Sequence, residues 1–161
     1  QVLLIDAGST NQAIAQQLPG ALALTVITNA PQIATAAAWQ AGTRVHLIGG
    51  RLAEGGGAVG AEALAQVQRL RADVYLPGAC AVDADTGVWA MDGEEATLKR
   101  AMLACASRVI VAATTEKLGA RGVWQVAALD EIDDLVLTTS APAALAERFR
   151  AAGIAVHPTH S

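Results

Sequence analysis

A strand-like run, Val2–Ile5, ends in Asp6-Ala7-Gly8-Ser9-Thr10, and a helical pattern opens directly afterwards. A glycine and two hydroxyl residues at the start of a helix offer unpaired backbone N–H groups, side-chain oxygens and close access to the backbone. Such a turn suits a phosphate or a carboxylate. Further strand ends carry related residues: Thr28-Asn29, Gly49-Gly50-Arg51, Gly78-Ala79 and Thr114-Thr115-Glu116-Lys117. Asn and hydroxyl groups orient a ligand there, and Arg51 or Lys117 offsets negative charge. Taken singly, each has a plain structural reading. Ser9, Thr10 and Asn29 are helix N-cap types, Gly49-Gly50 suits a tight turn, and Lys117 an exposed loop. Glu95 and Lys99 stand four apart in the acid-before-base order of a solvated helix pair. Their recurrence at successive strand ends is what points to one shared crevice for a small phosphorylated or polyhydroxylated metabolite.

The elements that must position these residues alternate. Strand-like runs are Val2–Ile5, Leu24–Thr28, Arg44–Ile48, Val74–Leu76, Val109–Ala113, Leu135–Thr138 and Ile154–His157. Helical patterns occupy Asn11–Leu18, Pro31–Gln40, Ala61–Leu70, Glu94–Ser107 and Ala143–Ala152. Alternation of this kind implies βα units and a mostly parallel sheet with helices on both faces, a three-layer Rossmann-like α/β domain. The runs are apolar on consecutive residues, as strands covered on both sides should be. Pro77 ends the fourth run, because proline cannot donate to a ladder. Val82–Gly93 lacks a period and reads as a loop or small hairpin, expected to close over the ligand with Trp89 near it. In open sheets of this type ligands sit beyond the carboxyl ends of the strands.

Composition narrows the function classes. The chain has 161 residues, 53% hydrophobic and 16% charged, which supports one packed domain over residues 1–161. A net charge of −4 makes this piece a poor candidate for touching DNA. No run reaches membrane-spanning length, no membrane partner is expected, and a cytoplasmic location is. Cys80 and Cys105 show no disulfide spacing. Gly55-Gly56-Gly57 lacks the Lys-Ser/Thr of a phosphate-binding loop, and no Gly-x-Gly-x-x-Gly follows a strand. His46 lies within a strand, as core or interface. His157 and His160 have no metal-ligand spacing. No cofactor and no metal are therefore expected. The chain opens at Gln1 on the edge of a strand, which reads as part of something longer.

In this order, Asp6-Ala7-Gly8-Ser9-Thr10, Thr28-Asn29, Leu47-Ile48-Gly49-Gly50-Arg51-Leu52, Arg71-Ala72-Asp73, Glu94-Glu95-Ala96-x-x-Lys99-Arg100-Ala101-Met102 and Lys117-x-Gly119 resemble DeoR-family transcriptional regulators. The resemblance covers nearly the whole chain and is to the C-terminal effector-sensing domain. It implies the fold of ribose-5-phosphate isomerase, glucosamine-6-phosphate deaminase and CoA transferases. It also implies a sugar phosphate or related metabolite at the strand ends, controlling operator binding by a winged helix-turn-helix that precedes this domain in full-length members. Asp6, Gly8, Ser9 and Thr10 would form the phosphate or ligand loop, with Asn29, Gly49, Gly50, Asp83, Glu95, Lys99 and Lys117 around it. The chain departs from the pattern at Thr114, where an acidic residue is common, and at Ala81, where glycine is. A non-catalytic sensor of a repressor that works as a homo-oligomer is the reading this supports. An isomerase or deaminase of the same fold stays open, with Glu95 or Asp83 as base and Lys99 or Lys117 as electrophile.

Overall fold

The computed structural model describes residues 1–159, so the expectation for His160 lies outside it. In chain order the elements are β1 (Val2–Ile5), α1 (Ser9–Ala15), β2 (Thr25–Thr28), α2 (Pro31–Ala38), β3 (Arg44–Leu47), β4 (Arg51–Leu52) and β5 (Ala58–Val59). They continue with α3 (Ala61–Val67), β6 (Ala72–Leu76), β7 (Ala81–Asp83), β8 (Gly87–Ala90) and α4 (Gly93–Ala104). The chain closes with β9 (Ala106–Ala113), β10 (Trp124–Ala127), β11 (Asp134–Thr138), α5 (Ala143–Ala151) and β12 (Ala155–Thr159). Seven strands form one sheet in the order β12-β11-β9-β6-β1-β2-β3, and every pairing in it is parallel. The chain therefore runs outward from β1 on one side, then returns to lay β6 on the other. The carboxyl ends of β1 and β6 flank that switch point, where a crevice must open.

Two apolar layers cover the sheet. Leu3, Ile5, Val26 and Val74 pack with Ala15 of α1 and with Ile33, Ala36 and Ala37 of α2. Leu4, Tyr75, Val109 and Leu135 point the other way, to Ala63 and Val67 of α3, Leu98 and Met102 of α4, and Phe149 of α5. Consecutive residues of β1 thus enter opposite layers, which is why the run reads as continuously apolar. Each fully buried Leu, Ile or Val contributes roughly 1.5–3 kcal/mol of burial. Pro31 opens α2 at its first turn, where its missing N–H costs nothing.

Val82–Gly93 carries a small hairpin, one of the two forms expected of it: β7 and β8 pair antiparallel, and β10 joins them in a small second sheet. Other expectations change. β4 and β5 form a short hairpin of their own. β3 is an edge strand with His46 and Leu47 exposed, so His46 is not core. β9 begins at Ala106, three residues before the apolar run does, and α4 stops correspondingly early. No helix among the described residues is long and apolar enough to cross a membrane.

Candidate functional site

At the switch point the carboxyl end of β1 delivers Asp6, whose backbone N–H donates to Leu76 O at 3.1 Å. Its side chain turns inward and is almost fully buried. Asp6 Oδ2 accepts from Gly78 N–H at 2.9 Å and pairs with Lys99 Nζ. Lys99, 5% exposed on the inner face of α4, also donates to Gly78 O at 3.0 Å. The expected solvated pair between Glu95 and Lys99 is therefore not formed. Burial of Lys99 favours a partner that shares its desolvated surroundings, and Asp6 is that partner. Asn11 Nδ2 donates to both Asp6 O and Leu76 O at 2.9 Å, stitching the ends of β1 and β6 together. A Cβ on Gly78 would stand 1.8 Å from Ala7 O, so only glycine lets the two turns meet.

Above this floor lies a cavity of about 250 Å³. Asn29 forms one wall: its Oδ1 accepts from Ala7 N–H at 3.3 Å, and its Nδ2 donates to Ala58 O at 3.1 Å. The β4–β5 hairpin supplies Gly55 and Gly57, and α4 supplies Glu95. Asp92 caps α4, its Oδ1 accepting from Glu95 N–H at 2.9 Å. From the segment after β9, Lys117 also lines the cavity, its Nζ 3.4 Å from Thr10 Oγ1. Gly8 precedes α1 without a side-chain cap. The first-turn N–H groups of Ser9 and Thr10 have no acceptor within their own helix.

Charges sort themselves by position. Asp6, Glu95, Lys99 and Lys117 are the ionisable carboxylates and amines lining the cavity. Asp6 and Lys99 neutralise each other in the floor, leaving Lys117 and Glu95, which come from different elements. Beneath Asp6, Tyr75 is fully buried with no hydrogen-bond partner for its hydroxyl among the described residues. Burial first, and the Asp6 charge second, push its pKa well up, so it stays neutral. The described residues contain no cluster of His, Cys, Asp and Glu able to hold a metal.

Of the residues singled out in the sequence, Asp6, Gly8, Asn29, Glu95, Lys99 and Lys117 line this cavity. Thr10 adjoins it through Lys117, and Ser9 sits exposed beside Gly8. Ser9 and Thr10 are the first helical residues rather than N-caps, and Ala30 rather than Asn29 caps α2. Gly49, Gly50 and Asp83 lie elsewhere. Gly49 N–H donates to Gln66 Oε1 at 3.3 Å. Gly50 has φ 150°, and a Cβ there would stand 2.7 Å from Val59 O, so the pair turns the chain into the hairpin. Asp83 Oδ1 takes the N–H groups of Asp85 and Thr86 at 2.9 and 2.8 Å. Those bonds, the one from Asp85 foremost, hold its pKa down and make it the turn residue of β7–β8. Trp89 donates to Thr86 Oγ1 at 3.0 Å and lines a separate cleft with Asp83. No residue of Val82–Gly93 lines the main cavity. Arg51 pairs with Glu94 on the surface. Gly78 and Ala79, named among the strand-end residues, also line the cavity, whereas Asn11 and Gly57 were missed as site residues; a polar Asn in the first turn of α1 was the available signal.

Residues 1–139 match the model of the DeoR C-terminal sensor domain. The chain belongs to that family. It is 31% identical over 157 residues to the HTH-type transcriptional regulator GlpR of Haloferax volcanii, covering 97% of this chain and 61% of that protein. It is 32% identical over 135 residues to the HTH-type transcriptional repressor GlcR of Bacillus subtilis, covering 83% and 52%. With the glycerol-3-phosphate regulon repressor of Escherichia coli the identity is 27% over 141 residues, covering 87% and 55%. The chain thus spans roughly half to three-fifths of the length of these relatives, each of them a transcriptional regulator or repressor by name. Among solved structures, the ribose 5-phosphate isomerase of Plasmodium falciparum aligns with a TM-score of 0.50 at 12% identity, over 76% of this chain and 46% of that one. A D-ribose-5-phosphate isomerase in complex with phospho-erythronic acid aligns at the same TM-score and 18% identity, over 73% and 46%. These two likenesses are of fold alone.

Proposed function

We propose that this sensor domain binds a phosphorylated polyhydroxy metabolite, a sugar phosphate or polyol phosphate, without turning it over. One observation carries the reading: a cavity at the β1/β6 switch point is lined both by Gly8, the residue that opens α1, and by Lys117, whose ammonium lies beside Thr10 of the same turn. In this reading Gly8, Ser9, Thr10 and Lys117 hold the phosphate, by backbone N–H groups, hydroxyls and charge. Asn29 and Glu95 meet hydroxyls. Asp6 and Lys99 act through the floor they build, keeping Gly78 against Ala7 so that the cavity has its shape. The relatives named for a glycerol-3-phosphate regulon support the class of ligand.

In the full-length regulator, a winged helix-turn-helix ahead of Gln1 contacts operator DNA, and the protein represses as a homo-oligomer whose symmetry matches that of its operator. The effector must then bind the operator-incompetent conformation more tightly than the competent one, since equal affinity shifts nothing. Thermal unfolding with a panel of sugar and polyol phosphates tests the reading. A true effector at about a hundred times its Kd adds roughly 2.7 kcal/mol of stability. A panel that leaves the unfolding midpoint unmoved overturns it.

A further inference from the structure

Two charged residues in the cavity lining, Lys117 and Glu95, form no ion pair among the described residues. Glu95 stands in the first turn of α4 with its backbone N–H bound to Asp92, but its carboxylate has no hydrogen bond or ion pair among the described residues. It faces the hairpin: a Cβ on Gly55 would stand 2.8 Å from Glu95 Oε1, so the glycine leaves this carboxylate room at the cavity wall. Neighbouring charges do not neutralise it. Glu94 takes Arg51, and Lys99 is held by Asp6. The remaining cation in the lining, Lys117, is hydrogen-bonded to Thr10 and not to Glu95.

Building on the effector reading above, we propose that Glu95 is a specificity-determining residue, admitting monophosphorylated ligands whose far end is a hydroxyl or amine. It excludes those whose far end is a second anion. A hydroxyl or ammonium donates to the free carboxylate. A carboxylate or second phosphate in the same place meets a like charge inside a partly desolvated cavity, where repulsion is poorly screened, and Glu95 offers it no donor. Exclusion of this kind works through a repulsive element rather than a better attractive fit.

The test compares matched pairs by calorimetric titration of the 161-residue chain. Each pair has one carbon skeleton ending in CH₂OH or in COO⁻: glycerol 3-phosphate with 3-phosphoglycerate, erythritol 4-phosphate with 4-phosphoerythronate, and glucitol 6-phosphate with 6-phosphogluconate. For any skeleton that binds, the hydroxyl-ended member should bind at least about tenfold more tightly, equivalent to about 1.4 kcal/mol. Glu95→Gln should bring the members of that pair within about threefold, a difference of roughly 0.7 kcal/mol, and Glu95→Asp should retain the preference. Superimposable thermal melts of the two variants show that the fold is intact. Binding without a preference for the hydroxyl-ended member, or a preference unchanged in Glu95→Gln, overturns the role of Glu95 and leaves the effector reading standing. Failure of all six compounds and inorganic phosphate to bind at millimolar concentration overturns both.

Discussion

Removing the carboxylate of Asp6 strands a buried ammonium. In Asp6→Ala, Lys99 keeps its 5% exposure with only Gly78 O, 3.0 Å away, to receive it. The N–H of Gly78 loses its acceptor at the same time. Breaking one side of a buried pair costs about 3–5 kcal/mol, because the other charge is left desolvated and uncompensated. For a chain of this size that lowers Tm by about 6–20 °C, at roughly 2–4 °C per kcal/mol. Lys99→Met should cost a comparable amount by stranding Asp6. The double variant Asp6→Ala/Lys99→Met removes both charges together, so its loss should fall short of the sum of the singles by at least about 2 kcal/mol. Urea denaturation followed by circular dichroism measures all three, with an unchanged m-value showing that the unfolding reaction is the same. Single-variant losses below about 1 kcal/mol, or losses that simply add, would refute a desolvated pair in the cavity floor.

Gly78→Ala forces a Cβ to 1.8 Å from Ala7 O, so the turn after β6 must move. Calorimetric titration should show effector binding lost, together with a fall in Tm; an unaltered affinity would contradict the close approach. Lys117→Ala removes a half-exposed cation that forms no ion pair among the described residues, so stability should stay within about 0.5 kcal/mol. Affinity for every phosphorylated ligand should drop together, and a loss confined to one ligand would sink its role as the phosphate cation. Acid stability provides a third check, through Asp134. Its buried carboxylate is held below the usual range by Arg108 foremost, with His157 assisting. A carboxyl depressed on folding contributes stability that is complete above its unfolded pKa of about 3.9 and is lost as pH falls through the folded value. The urea midpoint should therefore decline as pH is lowered below about 5, and Asp134→Asn should flatten that decline. A slope identical in the two proteins would show that Asp134 does not titrate differently in the folded state.

The sheet was legible because its strands are buried on both faces. Leu3 and Leu4 enter opposite apolar layers, so every residue of β1 had to be apolar and the run stood out. The short pairings were not legible. β4 and β5 have two residues each, too few for any period to show, and β10 carries exposed Trp124 and Gln125 beside buried Val126. Sequence spacing misassigned Lys99 because it ranks only neighbours on the same helix. The partner that wins, Asp6, is 93 residues away and is selected by shared burial. Of the residues named by the strand-end rule, Asp6, Gly8, Asn29 and Lys117 line one cavity. Gly49 and Gly50 do not line it, because the chain leaves β3 at the sheet edge and turns into a hairpin. Asp83 lies outside it for a different reason: its Oδ1 accepts three hydrogen bonds from its own turn, between β7 and β8.

A crystal structure of the chain soaked with a phosphorylated compound that raises its Tm tests the sensing site most directly. Density for the phosphoryl group should lie between the N–H groups of Gly8 to Thr10 and Lys117 Nζ, with the far end of the molecule toward Glu95. The same compound bound in the cleft beside Trp89, or on the outer surface with this cavity unchanged, would contradict it.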